Sequence, residues 1–172
     1  SPQMVAMRNR IDQLEQNTNA DRQRREQIAK WYEERNFEPI WLSGSKPSKQ
    51  AQEVIYTMMT AYEDGLISEE YRAIELFGKL DATRPTAVAD FEISLSRAVV
   101  LFGQHLYSGR VEPREINRKN VLYPDDISAS KVLDKVAKSD NAKLAVTSLS
   151  PSTPRYARLK SHLTGLYLAR VN

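Results

Sequence analysis

Cysteine is absent from all 172 residues. That absence excludes disulfides, thiolate metal sites, iron–sulfur clusters and every cysteine-nucleophile mechanism together. Glycine is scarce, six in the chain, and none belongs to a glycine-rich loop able to cradle a phosphate. No run of about 18 apolar residues occurs, so no membrane-spanning helix is expected. No secretory leader is read at Ser1 either. Neither sign of charge dominates: 25 Lys and Arg against 22 Asp and Glu leave a net +3. Without basic residues interleaved with aromatics, that balance argues against a nucleic-acid partner.

What is present favours helices. Ala, Leu, Lys, Arg, Glu and Gln are abundant, and 41% of the residues are apolar, enough to bury a core. Met4, Met7, Ile11 and Leu14 recur at 3-4-3 spacing and predict a short amphipathic helix over 3–16. Two such heptads are too few for a coiled coil. The Asn17-Thr18-Asn19 cluster offers an N-cap for a second helix over 20–35, with Ile28, Trp31 and Tyr32 as its apolar side and Pro39 as its stop. SGSKPSK (43–49) reads as a loop.

A helix over 49–63 is expected next, with Gly65 as its C-cap, followed by one from Ser68 to about Leu76. The clearest helix begins after Thr83 with Pro85 in its first turn. Its stripe of Val88, Phe91, Leu95, Val99, Phe102 and Leu106 belongs in the middle of a bundle, and Gly109 ends it. Residues 110–127 look extended. Short helices are marked by Val132, Leu133 and Val136, and by Leu144 and Val146. Thr153 and Pro154 start the last helix, with Tyr156, Leu159, Leu163, Leu166 and Tyr167 as its buried face. No alternating strand of useful length appears. The expected fold is all-α, an irregular multi-helix bundle with long ordered loops. Residues 1–19 form an N-terminal amphipathic segment and 20–172 the helical domain.

Several fragments tempt a catalytic reading. Ser43–Lys46 and Ser128–Lys131 match S-x-x-K, and Ser139-Asp140-Asn141 spells S-D-N, elements that surround the nucleophile of penicillin-binding acyl-transferases. The third element, K-T-G on a strand, is missing, and three- or four-residue matches are common in a Ser- and Lys-rich chain. His105 and His162 lack partners at ligand spacing, so no metal site is expected. Asp125-Asp126 read as caps of the following helix rather than as an acid–base pair. Arg22, Arg24, Arg25 and Lys30 read as a solvated face diluted by acids. By its residues alone the chain is a helical module with no catalytic, metal or cofactor site.

One resemblance adds to this. FEPIWL (37–42), preceded by Trp31-Tyr32 and Arg35, resembles the opening signature of the scaffold domain of large murein L,D-transpeptidases of the YcbB type. AYEDGLISEEY (61–71), HLYSGRVEP (105–113) and SLSPSTPRYARLKSHLTGLY (148–167) are similar to later segments of the same domain, in the same order. The likeness spans roughly residues 28–170. Ile67-Ser68 and Ser96-Arg97 depart from it, standing where Asp-Pro and Thr-Asp are common.

The resemblance implies a mostly helical, periplasmic scaffold. Its partners would be a transpeptidase catalytic domain and a peptidoglycan-binding module, with peptidoglycan itself a candidate ligand. Relatives of this kind cross-link stem peptides 3→3 through a cysteine thioester assisted by a histidine. Their Ser-x-Gly-Cys-x-Arg signature is missing here, so the chain is expected to be non-catalytic, an isolated scaffold domain or a truncated relative. Trp31, Tyr32, Phe37, Pro39, Ile40 and Trp41 are then expected to anchor the helix-to-loop turn in the core. Gly109, Arg110, Glu112 and Pro113 form a candidate interaction surface, with a structural connector as the competing reading. A different class of function is a free-standing helical adaptor that dimerises through the Met4–Leu14 face. A third is a serine hydrolase that a β-lactam probe would label at Ser43 or Ser128.

Overall fold

A computed structural model describes residues 1–76, 83–109 and 126–171. Among these the architecture is all-α. Helices α1 (Pro2–Asp12) and α2 (Asn19–Glu34) precede a hairpin of two-residue strands, β1 (Leu42–Ser43) and β2 (Lys46–Pro47). Then come α3 (Lys49–Met59), 3₁₀ turns at Ala61–Asp64 and Ser68–Tyr71, and the short α4 (Ala73–Leu76). Helices α5 (Pro85–Ser108), α6 (Ala129–Ala137), α7 (Ala142–Thr147) and α8 (Pro154–Val171) complete the order. None of these helices is long and apolar enough to cross a membrane.

Helix α5 is the axis. Its 24 residues begin at Pro85, whose missing N–H costs nothing in a first turn. The expected stripe is buried, and Ile93, Val100 and Gly103 are buried as well. Apolar contact on several sides follows from its neighbours, since α1, α2, α3, α4, α6 and α7 all pack against it. Packing is tight at Gly103: a Cβ there would stand 2.8 Å from Val132 Cγ1.

Helix α1 ends at Asp12, short of the expected 16, yet Met7, Ile11 and Leu14 are all buried in the common core. The face offered to a dimerising adaptor is therefore consumed within the chain. Helix α2 starts on a capping box: Thr18 Oγ1 accepts the Asp21 N–H at 3.0 Å, and Asp21 Oδ2 accepts the Thr18 N–H at 3.1 Å.

Pro39 is not what stops α2. The helix ends five residues earlier, at Glu34, in a Schellman motif. The Phe37 N–H donates to Tyr32 O at 2.8 Å and the Asn36 N–H to Glu33 O at 3.0 Å. Asn36 and Phe37 both take left-handed backbone angles, φ 54° and 57°. Asparagine tolerates this region; for a bulky aromatic it is rare and must be held by surrounding structure.

Other departures are local. The 43–49 loop is a tight hairpin with Leu42 opposite Pro47, turned at Gly44 (φ 62°). Helix α3 ends at Met59, and Gly65 closes the 3₁₀ turn behind it. Ser68 caps no helix: a 3₁₀ turn follows, broken at Arg72 (φ 50°) before α4. Two distant side chains cap the later helices. Gln27 Oε1 accepts the Ala129 N–H at 2.6 Å, and Glu53 Oε2 the Ala142 N–H at 2.7 Å. These bonds tie α6 to α2 and α7 to α3.

Candidate functional site

The segment from Trp31 to Trp41 is built around one buried acid. Glu92, on the second turn of α5, is fully buried. Its Oε1 accepts from Tyr32 Oη at 2.8 Å and from the Ile40 N–H at 2.6 Å, and its Oε2 accepts the Trp41 N–H at 3.1 Å. One turn on, Ser96 Oγ lies 2.6 Å from Tyr32 Oη and accepts the Trp41 indole N–H at 2.8 Å. An indole nitrogen can only donate, so a single ordered chain satisfies every group. Trp41 donates to Ser96, Ser96 to Tyr32, and Tyr32 to Glu92.

The electrostatics follow from this enclosure. Burial pushes the Glu92 carboxyl up to about 7, against the pull of the Ile40 N–H, the Tyr32 hydroxyl and the Trp41 N–H. Burial also drives the Tyr32 phenol well above its ordinary range, helped by the neighbouring Glu92 charge. Trp31 faces the other way. It donates Nε1–H to Asp134 Oδ1 at 2.8 Å on α6, and that bond holds Asp134 below the usual carboxylate range. Arg35 lies over the Trp31 ring at 4.6 Å and Arg8 over Phe37 at 5.4 Å.

Trp31, Tyr32, Phe37 and Trp41 are thus buried, while Pro39 and Ile40 are half-buried at the rim. The acid is enclosed and its acceptor capacity is used inside the chain, so it has no route to a substrate. What this arrangement does is clamp a strained loop, with its two left-handed residues, onto the central helix.

The other sequence candidates are placed as follows. Gly109 sits at the end of α5 with φ 93°, and among the described residues a Cβ there would meet nothing within 4 Å. Arg110, Glu112 and Pro113 lie outside the described residues, as does Asp125. Asp126 accepts from Ser108 Oγ at 3.4 Å; Ser128, not an aspartate, caps α6 by accepting the Lys131 N–H. Ser43 and Lys46 are paired strand residues of the hairpin. Ser139 turns back on Asn141, which caps α7. None of these serines meets a base across a cleft.

Tyr71 Oη lies 2.9 Å from His105 Nδ1, and His162 is exposed on α8. Among the described residues no group of three or more acids and histidines could hold a metal. The supposed solvated face of α2 is only partly so. Arg24 is buried, bonded to Asp21 at 2.8 Å and to Gln104 Oε1 at 2.8 Å.

Two concavities stand out among the described residues. A cleft of about 270 Å³ beside α1 and α5 is lined by arginines already committed to acids. Arg10 pairs with Asp90 and Arg97 with Glu15, each at 2.6 Å. A larger groove of about 740 Å³ runs between α8 and the turns leading into α4. The face of α8 that the sequence predicts to be buried is not buried. Leu159 is 58% exposed, Leu166 60% and Tyr167 45%. The helix is fastened along one edge only. Tyr62 and Tyr167 stack at 4.1 Å, Tyr156 Oη donates to Asp64 at 3.0 Å, and Lys160 pairs with Asp64 at 2.8 Å.

Comparison with known families is decisive at this point: the Scaffold domain family matches residues 26–163. The chain is a scaffold domain. The match opens inside α2, just before Trp31, and runs through the Glu92 clamp and α5 to the middle of α8. In this scaffold domain α1 lies outside the matched span, although it is packed into the same core. No curated protein and no solved structure matches the chain.

Proposed function

We propose that this scaffold domain is the non-catalytic support of a periplasmic murein L,D-transpeptidase, positioning the catalytic domain and substrate-binding parts that build peptidoglycan cross-links. One observation carries the reading. The segment that opens the resemblance, Trp31 to Leu42, directs its buried polar groups inwards to Glu92, Ser96 and Asp134 rather than into an open cavity. That is how a supporting element behaves. The absence of cysteine agrees with it, since the thioester chemistry of such enzymes has no nucleophile here.

The test mixes the purified chain with an L,D-transpeptidase catalytic domain and follows binding by calorimetry, beside a sedimentation assay with intact peptidoglycan sacculi. Binding to the catalytic domain is expected, with no turnover by the chain alone. Retention on sacculi that is lost in Arg110→Ala/Glu112→Ala would add direct wall contact through the GRVEP segment. Binding to neither would remove the cell-wall reading.

A further inference from the structure

Helix α8 contradicts the logic that buries every other long helix of the chain. None of its residues with a described side chain is buried, and only Tyr156, Lys160 and Thr164 are half-buried. Leu166 on one side of the groove and Ile74 on the other, 60% and 72% exposed, stand in water. Exposed apolar side chains on both walls of a groove of about 740 Å³ are a surface that a partner can cover.

The charges on its edges say what covers it. Helix α8 carries Arg155, Arg158, Lys160 and Arg170 and no acid. The opposite wall, residues 61–76, carries Glu63, Asp64, Glu69, Glu70 and Glu75 against Arg72 alone. Lys160 is satisfied by Asp64 within the chain. Arg155, Arg158 and Arg170 are exposed and form no ion pair among the described residues.

The groove itself is lined by Arg170 on the α8 side and by Glu69 and the Arg72–Glu75 pair on the other, so its apolar strip lies between a basic edge at Arg170 and an acidic edge at Glu69. Turned by a two-fold rotation, the basic edge of one copy meets the acidic edge of another, the self-complementarity that a symmetric dimer requires. An anionic membrane surface would attract the arginines but repel the acidic wall beside them.

We infer that α8 and the adjoining groove form a homodimer interface. Each copy lays α8 along the groove of the other, with apolar contacts at Leu166 and Ile74 and Arg170 over Glu69 of the second chain. Neither the family nor the cell-wall reading enters this inference, so its failure leaves both untouched.

Sedimentation velocity of the whole chain from low to high micromolar concentration tests it. A concentration-dependent dimer is expected. Leu166→Glu should abolish it with the circular dichroism spectrum unchanged, because the residue supports no core. Arg170→Glu and Glu69→Lys, both on the groove, should each weaken dimerisation by about tenfold or more. Their equimolar mixture should then recover most of it, since each altered edge meets its opposite. A monomer at every concentration, a dimer that survives Leu166→Glu, or a mixture no tighter than the single variants would each overturn the inference.

Discussion

Helices α5 and α8 carry apolar stripes of similar regularity, and they end in opposite situations. Six other helices pack around α5, whereas α8 rests mainly on the single 3₁₀ turn Ala61–Asp64. The polar residues differ in the same sense. On α5, Glu92, Ser96 and Gln104 are buried and bonded, to the Trp41 segment, to Tyr32 and to Arg24. On α8 the charged residues are all cations, and Arg155, Arg158 and Arg170 are exposed to solvent. A stripe tells which way a helix will turn if it is covered. Whether it is covered depends on what the rest of the chain can bring to it.

The comparison is broken most severely at Glu92. Glu92→Ala strands the Ile40 and Trp41 amides and the Tyr32 hydroxyl, and each stranded buried donor costs about 1–3 kcal/mol. A loss of about 4 kcal/mol or more in urea unfolding is expected, a large share of the roughly 5–15 kcal/mol that holds a domain together. An Ala variant as stable as the parent would mean that the clamp contributes nothing.

The same group sets a pH dependence. Its folded pKa of about 7 lies above the ordinary 4.5. Its protonation therefore favours the folded state: the contribution is complete below about pH 4.5 and is lost as pH rises through about 7. At about 1.4 kcal/mol per pKa unit the loss amounts to about 3 kcal/mol. Urea midpoints of the parent chain should fall between pH 5 and pH 8, and Glu92→Gln should remove that fall. Identical slopes in the two proteins would assign the dependence to another group.

A smaller loss is expected at Ser96. Ser96→Ala leaves Tyr32 able to donate to Glu92 but strands the buried indole N–H of Trp41, at about 2 kcal/mol. The red-edge emission of the tryptophans should shift with it. An unchanged spectrum and midpoint would show that the indole finds another acceptor.

What could be read in advance was what is encoded locally. Pro85 and the stripe behind it define α5, the Asn17-Thr18-Asn19 cluster marks the start of α2, and Thr153 with Pro154 defines the start of α8. Each signal needs only neighbours within a few residues. Glu92 gave no such signal. An acid beside Phe91 in a helix reads as surface, and its partners lie 51 to 60 residues away in the chain. The end of α2 near residue 35 is legible, but its cause is not, for a related reason. Pro39 is conspicuous, but the chain turns earlier, at Asn36, where asparagine tolerates a left-handed conformation and Phe37 is held in one by the core. Arg24 looked like part of a charged face because its acceptor, Gln104, belongs to a helix 80 residues on. For α8 the periodicity was correct and the burial was not, because the sequence shows the stripe without showing how little lies beneath it.

The smallest expected effect belongs to that helix. Leu166→Ala removes a side chain that is 60% exposed, and alanine is at least as good a helix former as leucine. At concentrations where the chain is monomeric, the unfolding midpoint should move by no more than about 0.5 kcal/mol, the ordinary scale of surface substitutions. The equivalent truncation on α5, Leu95→Ala, opens a cavity at a fully buried site and should cost about 2–5 kcal/mol. The ratio between the two is the direct measure of the contrast drawn here. If Leu166→Ala proved as costly as Leu95→Ala in the dilute monomer, α8 would have to be covered by its own chain, and the groove beside it would be closed rather than open to a second copy. If the cost appears only as concentration rises, the covering surface comes from another molecule, and the stripe on α8 is completed by assembly instead of by folding.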